Sequence, residues 1–108
     1  MTSFQCPYLH GEVELSGDRQ QHIADSHPDL LPAHLDKIGL TLADPDEIRR
    51  SRRFANARIF VKWYDDLRAG KYVVVVAVTE TFPATRHWIV TAYMARRLSE
   101  GDVEWKRA

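Results

Sequence analysis

The period of hydrophobic and polar positions changes once along this chain, near residue 46. Before that point, "GEVELSG" sets Val13 and Leu15 against Glu12 and Glu14 between two glycines, which predicts a short, half-buried strand. Ser16 or Asp18 then offers a capping oxygen to a helix beginning near Arg19. That helix carries His22, Ile23 and Ala24, and Pro28 closes it, because the residue before a proline is pushed out of the α region. A second helix is predicted from Pro32 to Ala43. Proline suits a first turn, and Leu31, Leu35, Ile38 and Leu42 fall on one face at helical spacing. Pro45, within "ADPDE", is the stop.

Beyond Pro45 the pattern is extended. "EIRRSRRF" reads as an edge strand, and residues 46 to 54 offer an edge on which another chain could pair. "ARIFVKWYDD" alternates Ile59, Val61 and Trp63 against Phe60, Lys62 and Tyr64. "KYVVVVAVTET" is a continuous β-branched run, expected of a central strand buried on both faces. "RHWIVTAYMARRL" alternates Trp88, Val90, Ala92 and Met94 against Ile89, Thr91 and Tyr93. The connections "DDLRAG" and "FPATR" are short, so these strands are expected to pair antiparallel, and "VEWKRA" reads as a last short strand. The expected fold is α+β: an N-terminal strand and two helices packed on a three- to four-stranded antiparallel β-sheet, with residues 1–108 forming one domain. The helices should cover one sheet face, leaving polar strand residues on the other.

Composition narrows this picture. With 108 residues, 44% apolar and 28% charged, the chain is an ordinary globular domain that needs no disulfide or metal staple. No apolar run approaches the roughly 18 residues of a membrane span, and "MTSFQCPYLHGE" lacks the basic and apolar segments of an export signal. A lone Cys6 fits a reducing compartment, so a cytoplasmic location is expected. Fifteen basic residues balance fifteen acidic ones, so bulk charge gives no argument for nucleic acid. The charges are unevenly spread, however. The mostly acidic stretch Asp25 to Glu47 is followed by "RRSRR" at 49 to 53, then Arg58 and Lys62.

The polar strand positions and "HIADSHP" carry the candidate chemistry. Lys62 and Tyr64 share one side of their strand, and Thr91 and Tyr93 share one side of theirs. If register makes these the same side, a cation, two phenols and a hydroxyl stand beside Arg50 and Arg53, a surface suited to phosphates and unpaired bases. The histidines His22 and His27 admit three readings. They are plain surface residues, or zinc ligands together with Cys6 and His10, or a proton-transferring pair. Five helical positions lie about 140° apart, so both could serve one ion only if the helix ended between them.

The run "HIADSHPDL…LDKIGLTLADPDEI", followed by the Lys62 strand, "VVVVAV" and "WIVTAY", resembles the phage- and toxin-associated nuclease domains grouped with barnase, EndoU, colicin-type tRNases and RelE, the BECR fold. The resemblance covers roughly residues 13 to 95. It implies a metal-independent endoribonuclease without cofactor, acting on RNA such as tRNA or mRNA, as a toxin or phage-derived effector with an antitoxin or immunity partner. It implies His22, with His27 beside it, as the helix histidine, Lys62 as the strand cation, Thr91 as the hydroxyl, and Tyr93 as the end of that motif. Metal-free RNA cleavage needs a base for the 2′-hydroxyl, an acid for the 5′-oxygen and donors around the phosphorane. The residue types present match: imidazoles at His22 and His27, Lys62 with Arg50 or Arg53 for phosphate charge, and Thr91 and Tyr93 for positioning. Tyr64 and Arg86 complete the candidate RNA-contacting set, with His87 in reserve. Two other readings compete: a non-catalytic RNA- or protein-binding module, favoured by zero net charge, and a small zinc protein.

Overall fold

The computed structural model describes residues 1–108. Its strands are β1 (Thr2–Cys6), β2 (Gly11–Leu15), β3 (Glu47–Arg50), β4 (Ala57–Tyr64), β5 (Lys71–Glu80), β6 (Arg86–Ala95) and β7 (Asp102–Lys106). Its helices are α1 (Gly17–Ser26) and α2 (Leu35–Ala43). All seven strands form one sheet in the order β1-β2-β6-β5-β4-β3-β7. Every pairing is antiparallel except β2 with β6, which is parallel and only two residue pairs long, Val13 with His87 and Glu14 with Trp88.

This corrects the expected three- to four-stranded, BECR/RelE-like sheet. Strand makes up 44% of the chain and helix 20%, so the sheet and not the helical layer dominates. Three pairings account for the difference. "TSFQC" forms β1, because a 3-10 turn at Pro7–Leu9 folds it back on β2 in a hairpin. The α1–α2 segment carries the chain from β2 across the sheet to β3, and the antiparallel run β3–β4–β5–β6 then returns to lay β6 parallel beside β2. At the other side, β7 pairs outside β3, so the expected edge at 46 to 54 is an interior strand.

The helices form close to where the pattern places them. Ser16 caps α1, its Oγ accepting the Arg19 N–H at 3.1 Å. α2 begins at Leu35 rather than Pro32, because residues 28–34 turn to bury Leu30 and Leu31, with the His34 N–H bonded to the Leu30 carbonyl at 2.8 Å. Both helices lie on one sheet face. The main core gathers there from Ile23, Leu31, Ile38, Leu42, Phe60, Val73, Val75 and Ile89. Tyr64 belongs to it as well, its hydroxyl donating to the Lys37 carbonyl at 3.0 Å beside Thr41.

Two β-bulges re-aim side chains. In β6, Thr91 opposes Val76 and Ile89 opposes Ala77, so Val90 is the extra residue and the alternation expected through 88–94 shifts by one. In β7, Trp105 opposes Ile48 and Val103 opposes Arg49, so Glu104 is the extra residue. Its carboxylate accepts from the Tyr8 hydroxyl at 2.6 Å, Arg58 Nε at 2.8 Å and Arg50 Nε at 3.0 Å. One carboxylate thus ties the N-terminal turn, two central strands and the C-terminal strand together.

Burial would raise the Glu104 carboxyl, but its three hydrogen bonds to Tyr8, Arg58 and Arg50 overcome this and hold it at about 2, down from 4.5. The folded-state value lies below the unfolded one, so this stabilisation is complete above pH 4.5 and is lost as pH falls toward about 2. Glu104→Gln is expected to cost about 2 kcal/mol near neutral pH, because two guanidinium groups lose their shared acceptor. Urea unfolding from pH 7 to pH 2.5 should show the difference between wild type and variant shrinking through this window. A difference independent of pH would assign the loss to packing.

Candidate functional site

Register decides which strand residues meet. Tyr93 opposes Val74, which opposes Val61, so all three project from the face without helices. Lys62 opposes Val73, which opposes Met94, so Lys62 projects from the helix-covered face. The four polar residues whose coincidence depended on register therefore divide, Lys62 and Tyr64 on one face, Thr91 and Tyr93 on the other. Lys62 is also fully engaged. Its Nζ donates to the Asp44 carbonyl at 2.9 Å and lies 3.3 Å from the Asp44 carboxylate and 3.6 Å from that of Asp46. The Asp44 carboxyl sits below its usual range because Arg107 and Lys62 both donate to it.

The open face holds a small second core, Ile59, Val61 and Val74, against which Leu98 packs. Leu98 lies on the β6–β7 connection, which crosses this face. Arg49 fastens the crossing by donating to the Glu100 carbonyl at 3.2 Å. Gly101 completes it at φ +77°, where a Cβ would stand 2.6 Å from the Arg50 carbonyl, so only glycine fits.

Past Leu98 the face is uncovered. A hollow of about 230 Å³ has a floor of Ala57, Ile59, Val76, Val78 and Val90, with Phe54 and Tyr93 in its walls and Arg53, Thr91 and Glu100 at its rim. A narrower hollow of about 150 Å³ shares Ile59, Tyr93 and Glu100 with it and extends to Arg49 and Arg97. Arg53 and Phe54 come from the β3–β4 hairpin tip, where Ser51 Oγ accepts their N–H groups at 3.1 and 3.2 Å. Phe54 is 61% exposed, an aromatic ring held at the mouth of an apolar recess. Neither Arg53 nor Arg97 has an ion-pair partner, whereas Arg49, Arg50, Arg52 and Arg58 all have one. Burial raises the Tyr93 hydroxyl above its ordinary range, and the Glu100 charge adds to this, so the phenol is a neutral donor at physiological pH.

Of the residues singled out in the sequence, the structure brings together Arg53, Thr91 and Tyr93. His27, the cap of α1, lies against Tyr93 with ring centroids 5.9 Å apart, but it lines neither hollow. His22 is exposed on α1. Arg50 serves Glu104, and Arg86 pairs with Glu14 at 3.1 Å and lies over the Trp88 ring. Tyr64 is a core residue. His87 is buried, with Nδ1 2.8 Å from the Thr79 hydroxyl, and burial and then the Arg58 charge lower it, so its ring is neutral at physiological pH. No three histidine, cysteine or acidic side chains come together as a metal site, and the alternative set Cys6, His10, His22 and His27 is not assembled. Phe54 and Arg97 are additions. A phenylalanine directly after "RRSRR" was the available signal for the first, while the second depends on the path of a loop.

Charge is segregated along the sequence. Residues 1–46 contain eight acidic and two basic side chains, and residues 47–108 seven acidic and thirteen basic ones. No helix is long and apolar enough to cross a membrane. No protein family, curated protein or solved structure matches the chain, so the nuclease resemblance rests on its motifs alone.

Lys62→Ala is expected to lower stability by up to about 1 kcal/mol, because it removes one of the two cations, Lys62 and Arg107, that Asp44 and Asp46 share after α2. Chemical unfolding checks this, and an unchanged midpoint would mean that Arg107 alone suffices for both carboxylates.

Proposed function

We propose that this protein binds single-stranded RNA on the open face of its sheet. The observation that carries this reading is the apolar hollow walled by Phe54 and Tyr93, with an unpaired guanidinium at its rim. An unstacked base presents an apolar face of matching size, and base–aromatic stacking contributes about 1–3 kcal/mol per base. Arg53 and Arg97 lie along the two adjoining hollows, where they can meet successive phosphates. Thr91 and Glu100 supply a donor and acceptors for base edges at the rim. Duplex RNA would fit this arrangement poorly, because its bases are already stacked.

Cleavage is a second reading, favoured by the contact of His27 with Tyr93. An imidazole beside the phenol could take the 2′-hydroxyl proton as that oxygen attacks phosphorus. The 5′-oxygen would leave with a proton from a second donor, giving a 2′,3′-cyclic phosphate. In this arrangement His27 carries the proton chemistry, and His22 and Lys62 do not take part.

Fluorescence anisotropy with a labelled single-stranded RNA of mixed sequence tests the binding reading. Phe54→Ala and Arg53→Ala should each weaken binding at least fivefold, Lys62→Ala should leave it unchanged, and the salt slope should fall by about one for Arg53→Ala. No binding at low salt, or equal binding by all variants, would overturn the proposal. The same RNA followed by gel in the presence of chelator tests the second reading. Products that disappear with His27→Ala but persist with His22→Ala support it, and intact RNA in every lane removes it.

A further inference from the structure

The seven-stranded sheet has two outer edges, β1 and β7, and they differ in kind. β7 is guarded: it carries Asp102, Glu104 and Lys106 and is broken by the bulge at Glu104, both devices that discourage strand addition. β1, "TSFQC", has no charge, no proline and no bulge, and it pairs with β2 in unbroken register from Thr2–Leu15 to Cys6–Gly11. In an antiparallel pair alternate residues turn their N–H and C=O groups away from the partner strand. No backbone hydrogen bond outside the β1–β2 ladder involves residues 1–6, so these outward groups are unmatched. The strand is held rigid from one side, because Phe4 packs against Gly39 of α2, where a Cβ would lie 2.9 Å from its ring, and Cys6 is fully buried.

We propose that β1 is a self-association edge, on which a second copy of this chain pairs its own β1 antiparallel about a two-fold axis at Phe4. The occupant follows from charge and pattern. An antiparallel self-pairing centred on Phe4 sets Thr2 opposite Cys6, Ser3 opposite Gln5 and Phe4 opposite Phe4 of the two copies, so no pair opposes like charges. The equivalent pairing of β7 would set Glu104 against Glu104. A two-fold contact of this type closes on itself and yields a dimer with a continuous sheet of both copies, its outermost strands being the guarded β7 strands. Five residues per copy form a small interface, so association is weak, with a dissociation constant on the order of 100 μM. The open-face hollow lies across β4, β5 and β6, and both copies keep it accessible.

Sedimentation equilibrium of the full chain from about 10 μM to 1 mM tests this, with charge substitutions at the two exposed positions that face one another. Ser3→Lys with Gln5→Lys sets like charges opposite across the axis. Within each chain the new side chains adjoin Glu14 and Glu12, so folding is not threatened. This variant should remain monomeric across the range, with an unchanged unfolding midpoint. Ser3→Lys with Gln5→Glu sets opposite charges across the axis, and Glu12→Lys added to it keeps a cation opposite the carboxylate introduced at position 5 within its own chain; this variant should restore association to within about threefold of wild type or tighter. A wild-type protein that is monomeric at every concentration would overturn the proposal. So would a dimer that the double-lysine variant leaves intact, or a lysine–glutamate variant no better than the double lysine.

Discussion

Val74 stands between Val61 on one side and Tyr93 on the other, and the remaining placements follow from that row. Side chains alternate between faces along a strand, so fixing one row fixes every second position of three strands. Val73 and Val75 turn toward α1 and α2, and Phe60 and Ala92 must follow them into the main core. The same alternation sends Ile59, Val76, Thr91 and Tyr93 to the opposite face. The bulge at Val90 keeps this division intact, since it lets Ile89 enter the core while Trp88 turns to the open side. Without that extra residue, either Ile89 would face solvent or Thr91 and Tyr93 would be driven beneath the helices.

The two faces are finished by different means. The helix face is closed by apolar packing, and its polar groups serve the structure: Tyr64 and Thr41 bond the α2 backbone, His87 bonds Thr79, and Lys62 with Arg107 neutralises Asp44. The open face is closed over only part of its area, by Leu98 on a loop that Arg49 and Gly101 hold in place. Glu104 links the layers, because its bulge turns a carboxylate from the outermost strand inward to two arginines and Tyr8. A loop that crosses a sheet face and stops short leaves an apolar floor exposed beside it. That is where Phe54 and the unpaired Arg53 on the hairpin tip stand.

Local signals in the sequence predict local structure well here. The Ser16 cap, the termination of α1 near Pro28, the buried stripe of α2 and the alternation of "ARIFVKWY" all depend on neighbours within a few residues, and each is present. Long-range pairings lie beyond such signals. β1 is only five residues long and carries a serine and a glutamine on its exposed side, so its pattern is too short to stand out from a terminus. β7 completes the sheet only because β3 offers a partner about fifty residues earlier. The candidate site divides in the same way. Arg53, Thr91 and Tyr93 are polar residues in strand and turn contexts and could be named from sequence, whereas their separation from Lys62 rests on a register that no stretch of sequence specifies alone.

The balance of fifteen positive and fifteen negative side chains also looks different once the layers are assembled. Taken in bulk, zero net charge argues against a polyanionic partner. Most of the acidic excess, however, lies in residues 1–46, spread over β2, the helices and the turns that follow them, while the strands around the hollow and the hairpin tip come from the basic remainder. The molecule is 24 Å across in its thinnest dimension. At physiological ionic strength exposed charges are screened over about 8 Å, so carboxylates on the outer surface of the helices cannot cancel guanidinium groups at the rim of the opposite face. On the proposed reading, what a phosphate meets on approach is the local sign, set by Arg53 and Arg97 against Glu100.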